Sequence, residues 1–319
     1  MTGLVLVLAL VQADSLPAHV RAAQLEGAGQ RAAARRILVD AVRRDSTYPE
    51  AWQALGESLL RSATAARLAP PEVGSGLSTP VPMLLDSADQ AFVHADRLGR
   101  ADAAGYRVFV WGERALLAWG DSGIAAAQRT VPALPLDVRP PAILEELAEN
   151  VLRACPSEGL LVTARDEDTY AILYLRLVRG LRSDLYIVPF GSWAADSAFQ
   201  RAAASDLGIR PRPDADWLEA VATRRPVCAT AWFVPPPPAG GLRWIPQPLL
   251  WTAGPIDDQE TVSEGEFVFV ALLDAVAGSG GRWASAAVDF YRHAVRVNRK
   301  LCEGMRVFGV DIRQLGCPA

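Results

Sequence analysis

The sequence predicts a small α/β segment set between two all-α regions. Three observations predict it. Residues 159–193 read as strand, polar turn, helix and strand. Residues 16–130 are rich in Ala, Leu and Arg at helical spacing. Residues 131–141 hold four prolines and mark a linker between the two patterns. The expected organisation is a signal or anchor over 1–15, a helical region over 16–130, the linker at 131–141, an α/β region over 142–255, and a C-terminal helical hairpin with a tail over 256–319.

The chain of 319 residues is long enough for two cores. Half of it is hydrophobic and 21% is charged, the balance of a globular rather than a disordered protein. A net charge of −4 argues against a nucleic-acid partner. Lys300 is the only lysine, so the arginine content reads as compositional bias rather than phosphate recognition.

Residues 3–11 (GLVLVLALV) are apolar, and Val11-Gln12-Ala13 resembles a small-residue cleavage site, which suits a short secretory signal. No Lys or Arg precedes the run, and it is too short to span a bilayer. A truncated anchor, or an element packed into the fold, is the other reading. The expectation is an extracytoplasmic, membrane-associated protein with no transmembrane span of its own; a cytoplasmic location is the alternative.

In the helical region Ala34, Leu38 and Ala41 are followed by Trp52, Leu55, Gly56 and Leu59. Small residues let antiparallel helices approach and large ones fill the groove. The segment ARRILVDAVRRDSTYPEAWQALGESLL resembles the junction of two tetratricopeptide repeats, although Ser46 stands where the usual proline would be. Ala88, Phe92 and Ala95 repeat the small-aromatic-small spacing after a Pro/Gly/Ser-rich insertion at 70–82. Helices are also expected over 103–119 and 122–129.

Within the α/β region, 143–153 is an amphipathic helix, 160–164 and 185–190 are apolar strands, and Tyr170, Leu173, Tyr174, Leu177 and Val178 mark the helix between them. Gly180 suits its end. Further helices are expected over 196–207 and 217–222. Strands are expected over 226–234 and, as one or two short pieces, over 242–253. The unit is expected to be a small Rossmann-like parallel sheet, with Asp166, Glu167, Asp168 and Thr169 in a loop at the carboxyl end of the first strand, where open α/β sheets bind ligands. Three neighbouring carboxylates could hold a divalent cation or sugar hydroxyls, or carry acid–base chemistry. Equally, Asp166 or Asp168 and Thr169 could cap the helix, with Glu167 facing water. Arg182 and Asp184 read as a structural ion pair or cap. The C-terminal region reads as helices over 264–277 and 282–303, where Ala287, Tyr291 and Ala294 repeat the small-aromatic-small spacing.

Cys155, Cys228, Cys302 and Cys317 form no zinc motif. Cys302 and Cys317 flank a short segment, which suits a disulfide in an exported protein; Cys228 reads as a buried thiol. His19, His94 and His293 are too few for a histidine-rich metal site, and His94 and His293 read as structural. No P-loop, dinucleotide fingerprint or nucleophile elbow occurs, so no cofactor and no catalytic residue is assigned.

The run TARDEDTYAILYLRLVRGLRSDLYIVPFGSW resembles a segment in the soluble region of bacterial protein-O-mannosyltransferase-like membrane proteins of the GT-C type, which often also carry tetratricopeptide repeats. Asp166, Asp168, Thr169, Tyr170, Tyr174, Leu175, Arg182 and Asp184 match; Arg165 and Glu167 depart from the pattern. The membrane-embedded catalytic part has no counterpart here, so the resemblance implies an accessory domain rather than a transferase. The expected function is a non-catalytic scaffold that binds a protein partner, a membrane protein complex foremost. The alternative is a carbohydrate- or metal-binding protein that uses Asp166, Glu167, Asp168 and Thr169, with a glycan as ligand.

Overall fold

The computed structural model describes residues 16–69, 79–131, 134–212, 216–255, 266–278 and 281–318. The apolar N-terminal run with its cleavage motif, and most of the 70–82 insertion, lie outside these. The chain forms two compact units, Met1–Arg67 with Gly74–Val110, and Leu68–Val73 with Trp111–Ala319.

The first unit is helical. Helices α1 (Ala18–Gly27) and α2 (Arg31–Arg44) are joined by a turn in which Gly29 takes φ +76°. The α2 stripe Ala34, Leu38 and Val42 is buried. It shares a core with Ala22 of α1 and with Ala51 and Leu55 of α3 (Pro49–Leu68). Helix α4 (Val81–Arg97) places Phe92 against Gly56, where an added Cβ would lie 2.7 Å from the ring. The glycine is what lets α3 and α4 approach. Phe92 also stacks on Tyr106 of the next helix, α5 (Ala101–Ser122), at 4.9 Å. Proline 82, expected in the insertion, lies in the first turn of α4, where its missing N–H costs no helical bond.

The second unit carries the sheet. After α6 (Ile124–Gln128) and α7 (Ala142–Ala154) come β1 (Leu160–Thr163), α8 (Asp166–Leu177), β2 (Tyr186–Pro189), α9 (Phe190–Ala195), α10 (Ser197–Leu207), α11 (Trp217–Ala222), β3 (Val227–Thr230), β4 (Ile245–Gln247) and β5 (Leu250–Ala253). The strand order is β2-β1-β3-β5-β4. Strand β1 runs parallel to both neighbours, Leu161 pairing with Ile187 and Cys228. Every residue of β1 is buried, as its unbroken apolar run requires. At roughly 1.5–3 kcal/mol per buried large aliphatic side chain, this strand anchors the unit.

The sheet is mixed, not parallel as expected. Strands β4 and β5 are joined by a two-residue turn, with Gln247 opposite Leu250, and a turn that short can only return the chain antiparallel. Strand β5 then adds antiparallel to β3. Helix α12 (Val270–Ala277) starts later than the expected residue 264. The segment before it is held in another way, by side chains of α7. Asn150 Oδ1 accepts from Val268 N at 3.0 Å and its Nδ2 donates to Val268 O at 2.6 Å. Arg153 donates to Glu266 O at 2.8 Å, and Glu146 caps the first turn of α12 itself, accepting from Ala271 and Leu272 N–H at 2.6 and 2.9 Å. Burial holds the Glu146 carboxyl above its usual range, and those N–H groups partly oppose that. The expected long helix over 282–303 is two, α13 (Arg282–Val297) and α14 (Leu301–Val307). Asn298 breaks it with extended backbone, and its side chain accepts from Lys300 N.

Cys302 is bonded to Cys317, and Cys155 to Cys228; none of the four is free. The reading of Cys228 as a buried thiol is thus overturned. It is buried, but its sulfur is bonded to that of Cys155, which caps the end of α7, 73 residues earlier.

Candidate functional site

Strand β1 ends at Thr163 and β3, beside it, at Thr230. From β1 the chain moves to β2 on one side, and β3 lies on the other, so the carboxyl ends of β1 and β3 flank the switch point of the sheet. The four predicted residues are at this edge. They are not a loop: Asp166 opens α8, and all four lie in its first turn.

That turn divides them. Asp168 and Thr169 point inward and are buried, whereas Asp166 is exposed and Glu167 is half-buried. Asp168 Oδ1 accepts from Arg165 N at 2.8 Å, closing the helix N-terminus. Its Oδ2 accepts from Thr230 Oγ1 at 2.8 Å and from Ala164 N at 3.3 Å. One carboxylate therefore ties α8 to β1 and β3. Thr169 Oγ1 lies 2.6 Å from Thr163 Oγ1. Burial raises the Asp168 pKa from 3.8 to about 6. The bonds from Thr230, Arg165 and Ala164 oppose the rise and the Glu167 charge adds to it.

The outer residues face elsewhere. Glu167 pairs with Arg282 at 3.7 Å, and Asp166 is also engaged. The Arg165 guanidinium lies 3.8 Å from the Trp232 ring centroid, and Trp232 packs against His293 at 4.8 Å and Phe290 at 5.6 Å. Among the described residues no group of three or more His, Cys, Asp or Glu is placed to hold a metal ion. The chemistry legible here is structural: a carboxylate cap between two strand ends, under a cation–aromatic stack. Arg182 and Asp184 form a two-bonded ion pair at 3.0 and 2.9 Å, and Arg182 also donates to the Leu152, Cys155 and Pro156 carbonyls that end α7. Its hydrogen bonds hold the Asp184 pKa near 2, well below the carboxylate norm.

Sequence reasoning missed Thr163 and Thr230. A signal existed: two neighbouring apolar strands, LLVT and VCAT, each end in Thr. It also missed the pairing of Arg165 with Trp232, which no spacing encodes. A third omission is Glu113 of α5, fully buried, which accepts the Tyr170 hydroxyl beside Gly112.

No family model matches the chain, and no curated protein or solved structure shows significant similarity to it.

Proposed function

We propose that this protein is a non-catalytic, extracytoplasmic scaffold whose tetratricopeptide-like helices bind a protein partner, a membrane protein complex foremost. The observation that carries the reading is the packing of the first unit. Its helices join through small-residue seams such as Ala34, Ala51 and Gly56, as in repeats that present surfaces to partners. Trp52 of α3 stacks on the exposed His94 of α4 at 4.5 Å, and Met83 of α4 is exposed as well. An aromatic pair of this kind, part apolar and part polar, suits an interface.

Two further observations support the proposal. All four cysteines are in disulfides, the usage of an oxidising compartment. No helix among the described residues is long and apolar enough to cross a membrane. The resemblance of residues 163–193 to the soluble region of protein-O-mannosyltransferase-like proteins, with a Rossmann-like sheet, points to the same accessory role. The carboxylates that might have served a carbohydrate or metal are engaged by the fold at Asp168 and by Arg282 at Glu167.

The test is affinity purification from detergent-solubilised membranes after cross-linking, comparing wild type with a Trp52→Ala, His94→Ala variant. A defined partner that is recovered with wild type and lost with the variant is the expected result. Recovery of only free monomer with wild type would overturn the proposal.

A further inference from the structure

Residues 231–244 join β3 to β4, a long connection within one sheet, where roughly 4–6 residues is usual. At its centre stand four consecutive prolines, Pro235 to Pro238. Proline fixes its own φ near about −65°. A following proline pushes ψ of the residue before it to about +120 to +160°. The bonds that join the four prolines are trans. Pro235, Pro236 and Pro237 are thereby set in the polyproline II conformation, and Pro238 extends it. That helix repeats about every three residues. Exposure follows the repeat: Pro235 and Pro238, one turn apart, are exposed, while Pro236 is half-buried and Pro237 is buried. Val234, which leads into the run, is 55% exposed.

The run is held at fixed points on both sides. Trp251 of β5 donates from Nε1 to Phe233 O at 2.8 Å, and Trp244, just before β4, donates from Nε1 to Pro237 O at 3.0 Å. The Phe233 ring meets that of Phe190 edge-on at 5.5 Å. Beyond the prolines, Leu242 N donates to Ala239 O at 3.0 Å and Gly241 N donates to Glu219. Among the described residues none donates to the carbonyls of Pro235, Pro236 or Pro238. One edge of the run is thus tied to the sheet. The other offers two proline rings at one-turn spacing, with acceptors between them. Edges of the form proline-x-x-proline dock in grooves lined by aromatic side chains. A segment already held in its docking shape loses little entropy when it binds.

We propose that Pro235 to Pro238 is a docking ligand for a partner protein whose groove is lined by aromatic side chains. The proposal is independent of the helical surface of the first unit, and either can fail alone. The probes are two purified, isotope-labelled domains with such grooves, an SH3 domain and a WW domain. Each is titrated with the intact, oxidised protein and followed by nuclear magnetic resonance. At least one should bind with a dissociation constant below about 1 mM. Its shifted signals should be confined to the aromatic groove, and its own proline peptide should displace the protein. Pro235→Ala with Pro238→Ala should weaken that binding about tenfold or more. Only a small loss of thermal stability is expected, since both rings are exposed. The displacement is read on the wild type, so the test stands even where the double variant is unstable. No binding by either domain up to about 1 mM, shifts outside the grooves, failure of the peptide to displace the protein, or binding undiminished in a folded double variant would each overturn the proposal.

Discussion

Replacing Asp168 by Asn should remove a pH dependence that the wild-type protein carries between about pH 4 and pH 6. The Asp168 carboxyl is fully buried, and its pKa rises from 3.8 in the unfolded chain to about 6 in the fold. Between those two values the native state holds a proton that the unfolded state has released. Stability from this group is therefore highest below the unfolded pKa and is lost as pH rises through about 6. At about 1.4 kcal/mol for each pH unit of that window, the loss approaches about 3 kcal/mol. For a unit of this size that corresponds to roughly 6–12 °C in Tm. Glu146, raised by burial, pulls in the same direction, and Asp184, held near 2, pulls the other way at lower pH. Both persist in Asp168→Asn, so the difference between the two proteins isolates Asp168. The assay is thermal unfolding by far-ultraviolet circular dichroism at pH 4, 5, 6 and 7 with disulfides intact. The variant loses an acceptor for Thr230 or Ala164 and should be less stable than wild type at pH 4, with the gap closing toward pH 7. Parallel curves across the range would refute the burial of a titrating carboxylate between the strand ends.

Removing Cys155–Cys228 by Cys155→Ala and Cys228→Ala should destabilise by about 4 kcal/mol, and removing Cys302–Cys317 by about 3 kcal/mol, because their closed loops span 73 and 15 residues; denaturant unfolding measures both, and equal losses would count against the loop-entropy account. Asn150→Ala removes both bonds to the partly exposed Val268 backbone and the buried bond to the Tyr291 hydroxyl, and should cost roughly 1–3 kcal/mol, with amide exchange rising first over residues 266–272. Gly112→Ala puts a Cβ 2.2 Å from the Tyr170 ring. Overpacking of about 1–3 kcal/mol should exceed the gain of about 1 kcal/mol from a better helix former, a net loss that thermal unfolding can read.

The elements of the sheet were legible because short buried strands leave apolar runs that neither face interrupts, as at LLVT and VCAT. Their pairing was not, because the direction of β5 is decided by a turn at Pro248 and Leu249, where a non-glycine residue takes φ +69° and breaks the usual turn chemistry. The acidic turn was found but its division was not. Four consecutive residues of a helix face four directions, so Asp168 and Thr169 turn inward while Asp166 and Glu167 turn outward. Helix α12 begins later than local propensity suggests because the chain before it is held by Asn150 and Arg153, and its first turn is capped by Glu146, all more than a hundred residues earlier. Local propensity carries no trace of such bonds. The same distance hid the partner of Cys228.

The two disulfides join the first cysteine to the second and the third to the fourth. A chain made or threaded from its N-terminus brings Cys155 and Cys228 into reach of an oxidant before Cys302 emerges, so pairing at the first opportunity is also native pairing. No reshuffling is required, and the protein should reach its oxidised state with a simple thiol oxidase and without a disulfide isomerase.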